Sequence, residues 1–290
     1  MVSVVIPVYN EEKSISNTIK EVKKVLKANK LDKGSEIIVV NDGSSDNTKK
    51  IVEKSDVILI NNPINMGYGF SLKRGITKAK NNTIVITDAD ATYPFDMVPE
   101  MLKIKEQGFD LVVGARTGKN YKQSILKYLL RKILKFLVEY VSDKKNKDIN
   151  SGLRIFDKTL VMKYFPRLCN TFSFTTSQTL AYLMNNHFVT YVDIDYNKRE
   201  GKSKVRLVKD SLISLKYILE SCIYYDHLKI FTFLSKLCIL LSLIGFIFSH
   251  FFDIHAGYIL GIGGLLVSIV VFAIGLLAVI LKQIMDKKND

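Results

Sequence analysis

Short apolar runs alternate with amphipathic stretches through the first half of the chain. Val2-Ser-Val-Val-Ile-Pro-Val8 is rich in β-branched residues and predicts a strand. Ser14 to Ala28 carries Ile15, Ile19, Val22 and Leu26 at helical spacing and predicts a helix. The alternation continues with a strand at Glu36-Ile-Ile-Val-Val40, a helix from Ser45 to Lys54, a strand at Val57 to Ile60 and a helix from Gly67 to Lys80. A strand at Thr83-Ile-Val-Ile-Thr87, a helix from Phe95 to Gln107 and a strand from Asp110 to Val113 complete it. Strands interleaved with helices predict a largely parallel sheet in a doubly wound α/β domain. Ligands of such sheets bind beyond the carboxyl ends of the strands.

The later pattern is different. From Tyr121 to Val141, Ile125, Leu129, Leu130, Ile133, Leu134, Leu137 and Val141 recur at helical spacing among Lys122, Lys127, Arg131, Lys132 and Lys135. A basic amphipathic helix of this kind suits a membrane interface, and equally an ordinary domain helix with a solvated basic face. Leu207 to Tyr225 is also amphipathic. Two apolar stretches follow: Phe231 to Phe252, interrupted only by Lys236, and Gly257 to Leu281, 25 residues without a formal charge. Each is long enough to cross a bilayer as a helix, and Lys236 lies near enough to one end to snorkel. The expected organisation is a domain over residues 1–205, an amphipathic segment over 206–230, and spans over 231–252 and 257–281.

The flanks of the spans predict their orientation. Asp253-Ile254-His255, the link between them, has no Lys or Arg, whereas Lys229, Lys236, Lys282, Lys287 and Lys288 lie on the other side. The positive-inside rule then puts both termini and the large domain in the cytoplasm. Val2 to Val8 is too short for the apolar core of a signal peptide, and Glu11 follows it closely, so no leader is expected. Charge adds to this picture. The net charge of +14 suits an anionic membrane surface or a polyphosphate substrate. No stacking-aromatic module or zinc spacing points to nucleic acid. Cys169, Cys222 and Cys238 lack metal spacing and read as reduced structural thiols of a cytosolic compartment.

Candidate chemistry collects at three predicted strand ends. Asp88-Ala89-Asp90 directly follows the apolar strand ending at Thr87. An extended Asp-x-Asp aims two carboxylates into one crevice, where a hard divalent ion and a diphosphate can be held together. Asn41-Asp42-Gly43-Ser44-Ser45-Asp46 follows the second strand, so Asp42 faces the same edge and could accept hydrogen bonds from a base or ribose. Ser45 or Asp46 could at the same time cap the next helix. Tyr9, Glu11 and Glu12 follow the first strand.

These residues carry a resemblance. Val5-Ile6-Pro7-Val8-Tyr9-Asn10-Glu11, Val40-Asn41-Asp42-Gly43-Ser44-Ser45-Asp46 and Asp88-Ala89-Asp90 resemble the motifs of family 2 inverting glycosyltransferases with the GT-A fold. Ser151-Gly152-Leu153-Arg154-Ile155-Phe156 and Arg199-Glu200-Gly201-Lys202-Ser203-Lys204 resemble the dolichol-phosphate mannose and glucose synthase branch. The resemblance covers residues 2 to about 210. It implies inverting transfer of a hexose from a GDP-mannose- or UDP-glucose-class donor to a polyprenyl phosphate, with Mg2+ or Mn2+. It further implies that Pro7, Tyr9, Glu11, Val40, Asp42, Asp88 and Ala89 hold the nucleotide-sugar, and that Asp88 and Asp90 hold the metal. Arg116 would approach the reacting phosphates, and Arg199, Ser203 and Lys204 would bind phosphate, with Asp90, Arg116 and Arg199 catalytic. Mannose synthases often have Gln two residues after the second Asp, whereas Thr92 stands there in this chain. A processive polysaccharide synthase would resemble a Gln-x-x-Arg-Trp motif, and the chain has no Trp. A non-catalytic membrane scaffold would not need the acidic and basic sets. The sequence does not set the oligomeric state, and it admits a homo-oligomer.

Overall fold

The computed structural model describes residues 1–118, 125–197, 207–252 and 255–289. They divide into two compact units, Met1–Ile218 and Leu219–Asp290.

The first unit is built on one seven-stranded sheet. Strand β1 (Ser3–Val8) lies between β2 (Glu36–Asn41) and β4 (Thr83–Ile86), parallel to both, and β3 (Ile58–Asn61) extends the sheet beyond β2. On the far side of β4 come β6 (Arg154–Asp157), β5 (Leu111–Thr117) and the outer strand β7 (Val189–Asp195). The central strands are apolar on both faces because both faces are covered. Val4, Ile6, Val8, Val39 and Val85 face helix α1 (Ile15–Ala28) and the start of α4 (Val98–Lys105). Val5, Ile38, Val40, Ile84 and Ile86 instead join Leu72 and Ile76 of α3 (Tyr68–Lys78) and Phe174 of α7 (Phe174–Met184). Short helices α2 (Thr48–Glu53) and α6 (Lys158–Tyr164) follow β2 and β6.

The sheet departs from the expected pattern at β6, which runs antiparallel to both β4 and β5. Its four residues begin with Arg and end with Asp, so no apolar run announces it. The reversal brings the Ser151–Gly152 segment, which precedes β6, beside the carboxyl end of β4.

Helix α5 (Ile125–Ser142) buries Leu134, Val138 and Val141 and leaves Ile133 and Phe136 exposed. Helix α8 (Leu207–Tyr225) contains the division between the units. The second unit is a hairpin of α9 (His227–Phe252) and α10 (His255–Asn289). Both helices begin earlier than the charge pattern suggested, and both are long and apolar enough to cross a membrane, at Leu228–Phe252 and His255–Leu281. Their contact uses small and hydroxyl residues, as membrane helix pairs do: Ser235 and Ser268 share a 2.9 Å hydrogen bond, and Ser242 donates to the Gly261 carbonyl.

Candidate active site

The carboxyl ends of β1, β2 and β4 meet where the sequence put its acidic residues, and hydrogen bonds lace their loops together. Asn10, with φ +51°, accepts from Ser45 N at 2.8 Å, and its own N–H donates to Ser44 Oγ at 2.9 Å. Glu11 N donates to Thr48 Oγ1, and Asp46 accepts from Thr48 N at 3.0 Å, although the N-cap of α2 is Asn47 rather than Ser45 or Asp46 and makes no side-chain capping bond. Tyr9 and Glu11 are half-buried beside this junction, whereas Pro7 and Val40 pair within the sheet and are buried. Val40 lies fully in the core, so its side chain supports the strand and its backbone alone is left for a ligand.

Asp42 is an anchor. Its carboxylate accepts from Asn62 Nδ2 at 2.6 Å, Met66 N at 2.9 Å and Gly67 N at 2.9 Å. Those three donors hold the loop that leads into α3. Three hydrogen bonds onto one nearly buried carboxylate make the loop rigid, and charge-assisted bonds are the strong kind. Tyr68, the first residue of α3, then reaches across to donate to Asp88 Oδ1 at 2.8 Å.

Asp88 and Asp90 flank a tight turn after β4. Ala89 is buried, and its carbonyl accepts from Thr18 Oγ1 at 3.0 Å. Ala91 adopts φ +56°, a left-handed conformation that costs a non-glycine residue about 1–2 kcal/mol. It turns the chain so that Asp90 Oδ1 accepts from both Thr92 Oγ1, at 2.6 Å, and Thr92 N, at 3.2 Å. Gly152 faces Asp88 so closely that a Cβ there would stand 2.7 Å from Oδ1.

Arg116, near the end of β5, forms a bidentate pair with Asp148: Nε to Oδ2 at 2.7 Å and Nη2 to Oδ1 at 2.9 Å. Burial alone would push the Asp148 carboxyl up, but the Arg116 charge and hydrogen bonds overcome it and hold the group below the usual range. The guanidinium also lies 5.5 Å from the ring centre of Tyr196, whose edge meets Tyr93. Behind this wall sits Arg154, fully buried, bonded to the carbonyls of Ser151 and Ile149 and to Thr179 and Gln178. Burial lowers its pKa to about 10, which still leaves it charged at neutral pH.

Among the described residues no three His, Cys, Asp or Glu side chains converge on a metal site. The edge instead offers a pair of carboxylates. A hard ion such as Mg2+ is commonly held by one or two carboxylates, waters and substrate phosphates, so Asp88 and Asp90 fit one. Arg199, Ser203 and Lys204 lie outside the described residues. The structure thus gathers Tyr9, Glu11, Asp42, Asp88, Asp90 and Arg116 at one edge. Pattern reading missed Tyr68, Tyr93, Asp148 and Tyr196. Asp148 alone had a local signal, lying just upstream of the Ser151–Phe156 motif.

The model of the family described as glycosyl transferase family 2 matches residues 3–165. Among curated proteins, the chain is similar to the undecaprenyl-phosphate 4-deoxy-4-formamido-L-arabinose transferases of Yersinia pestis (strain Pestoides F) and Yersinia pseudotuberculosis serotype O:3 (strain YPIII). Each is 27% identical over 263 residues, covering 86% of this chain and 74% of the relative. Among solved structures it is similar to glucosyl-3-phosphoglycerate synthase from Mycobacterium tuberculosis. The complex with Mn2+, uridine diphosphate and glucosyl-3-phosphoglycerate has TM-score 0.60 at 20% identity, covering 77% of this chain and 80% of that one. The complex with Mg2+ and uridine diphosphate has TM-score 0.60 at 19% identity, covering 77% and 79%. At that identity the likeness concerns the fold.

Proposed function

Because the chain belongs to glycosyl transferase family 2 and is a glycosyltransferase, we propose that it moves a sugar from a nucleotide-sugar to a polyprenyl phosphate at a membrane surface, with Mg2+ or Mn2+. The observation that carries this reading is the Asp88–Asp90 pair, fixed by hydroxyl donors at the carboxyl edge of the sheet. The acceptor class is supported by the Yersinia relatives, whose names give an undecaprenyl-phosphate transferase. Membrane attachment is supported by α9 and α10, and by the exposed Ile133 and Phe136 of the basic helix α5. The lysine asymmetry about the two spans favours the cytoplasmic face.

In this reading a lipid phosphate oxygen attacks the anomeric carbon, the bond from that carbon to the donor diphosphate breaks with inversion, and a nucleoside diphosphate leaves. The lipid phosphate is already ionised at neutral pH, so it needs little help from a general base. The harder tasks are to bring two anions together and to stabilise the departing diphosphate. A divalent cation would supply charge stabilisation to the diphosphate. Asp88 and Asp90 would hold that cation, and the Asp42-anchored loop would orient the nucleotide. Arg116 would add positive charge from its fixed position, and Arg199, Ser203 and Lys204 would bind phosphate of donor or lipid.

The donor sugar is the finer part of the proposal. The motif resemblance favours a hexose of the GDP-mannose or UDP-glucose class, whereas the relatives' names give 4-deoxy-4-formamido-L-arabinose. Purified protein incubated with nucleotide-sugars of all three kinds, polyprenyl phosphate and Mg2+ or Mn2+ decides this by the mass of the lipid product. Transfer is expected from one donor and lost in Asp90→Ala. Full activity of that variant would remove the proposed metal role, and the absence of a glycosylated lipid with any donor would remove the acceptor assignment.

A further inference from the structure

Arg154 is the largest side chain wholly removed from water among the described residues. Burying a charge is costly, and an apolar residue of similar size could fill the same space without that cost. Its guanidinium meets four neutral acceptors. Nε donates to the Ser151 carbonyl at 2.7 Å and Nη2 to the Ile149 carbonyl at 2.6 Å. Nη1 donates to Thr179 Oγ1 at 2.8 Å and Gln178 Oε1 at 3.3 Å. Two of these acceptors are carbonyls of one turn, and two belong to helix α7. The rigid fork of an arginine matches that spread, and the single ammonium of a lysine does not.

The turn gripped in this way touches both groups of charged residues at the edge. Residues 148–152 belong to no helix or strand, so their placement depends on such bonds. At the start of the turn, Asp148 holds Arg116 and accepts from Asn150 N at 3.2 Å. In its middle, Ser151 Oγ donates to the Gly114 carbonyl of β5. At its end, Gly152 N donates to Tyr93 Oη at 2.7 Å, and the Asp88 carboxylate occupies the space that a side chain on Gly152 would fill. Asp88 therefore has two supports: the Tyr68 hydroxyl, bonded to Oδ1, and the Gly152 backbone, against which the carboxylate lies. A carboxylate resting on backbone is placed only as well as that backbone is.

We propose that Arg154 is a positioning residue of the transfer reaction: by tying the 149–152 turn to α7, it fixes Gly152 as the support on which Asp88 is oriented toward a divalent cation. The inference rests on the reading of this edge as a cation-assisted nucleotide-sugar site. Fully buried, Arg154 touches neither cation nor substrate, and it acts through Gly152 and Asp88.

The test measures Mn2+ affinity of the full chain by electron paramagnetic resonance, with saturating uridine or guanosine diphosphate, while melting temperature reports folding separately. Arg154→Lys keeps the charge and loses the fork, and should weaken Mn2+ binding about tenfold, the equivalent of one strong hydrogen bond. Gly152→Ala should already displace Asp88. Adding Arg154→Lys to it should therefore lower the melting temperature further with no further loss of Mn2+ affinity. A purely structural arginine would lower the melting temperature in both backgrounds and leave the affinity of the folded protein unchanged. Thr179→Val keeps the guanidinium and removes one acceptor on α7, so it should cost about threefold, and it serves if Arg154→Lys does not fold. Unchanged Mn2+ affinity in whichever of these two variants folds would overturn the proposal. Equal losses from Arg154→Lys with and without Gly152→Ala would also overturn it. If the unaltered chain bound no Mn2+ with either nucleotide, the reading of the site would fall and take the positioning role with it. Equal binding by the unaltered chain and Arg154→Lys would leave the site standing and remove the role of Arg154 alone.

Discussion

Gly152 shows how far a single missing side chain can shape this site. A Cβ at that position would lie 2.7 Å from Asp88 Oδ1 and 2.9 Å from Oδ2, closer than carbon and oxygen tolerate. The carboxylate would have to swing away, losing the 2.8 Å bond from Tyr68. Gly152→Ala should therefore lower kcat/KM by about tenfold or more, corresponding to at least 1.4 kcal/mol of transition-state stabilisation. Tyr68→Phe, which removes the same hydrogen bond without a clash, should cost less. Steady-state kinetics together with the melting temperature check this. Equal activity of Gly152→Ala and the unaltered chain would show that Asp88 does not depend on this geometry.

At the scale of elements, β6 and the segment before it do more than extend the sheet. The turn wraps its carbonyls around Arg154 and delivers Asp148 to Arg116 on β5. That pair is almost out of water, with side-chain exposures of 12% and 4%. Removing one partner of a buried pair typically costs about 3–5 kcal/mol, because the other charge is left uncompensated. Arg116→Gln should thus be strongly destabilising, and adding Asp148→Asn should restore part of the loss. The pH dependence follows from the direction of the Asp148 shift. Its folded pKa is depressed, so the pair's contribution is present above the ordinary carboxylate value of about 4 and is lost as pH falls through the folded value. In Arg116→Gln the unpaired, buried carboxyl should titrate higher, and stability should instead fall as pH rises. Denaturant unfolding between acidic and neutral pH measures both slopes. A parallel acid limb in the two proteins would contradict the assignment.

At the scale of the molecule, the arrangement proposed is a family 2 transferase domain carrying its own membrane hairpin. Lys229 and Lys236 lie near the start of α9 and Lys282, Lys287 and Lys288 near the end of α10, while the link between the helices has no Lys or Arg. Single cysteines introduced into an otherwise cysteine-free chain test the resulting topology in intact cells. His255→Cys should react with a membrane-impermeant reagent from outside, whereas Lys33→Cys and Asn289→Cys should react after permeabilisation alone. Labelling of Lys33→Cys in unbroken cells would reverse the orientation and move the proposed donor site away from the cytoplasmic face.

Much of this was legible in the chain itself. The apolar runs from Val2, Glu36 and Thr83 became buried parallel strands, because β-branched residues covered on both faces have few other places to go. Tyr9, Asp42, Asp88 and Asp90 came to one edge because each follows a strand of the same direction. The two apolar stretches near the end became a pair of helices of spanning length. What only the tertiary structure decided is which groups orient those residues. Tyr68 reaches Asp88 from α3, Asp148 reaches Arg116 from the turn before an antiparallel strand, and Tyr196, just past the end of β7, meets the Arg116 guanidinium. Periodicity reports what neighbours along the chain have in common, whereas these partners are chosen by strand order, and strand order is set by packing between segments far apart in sequence.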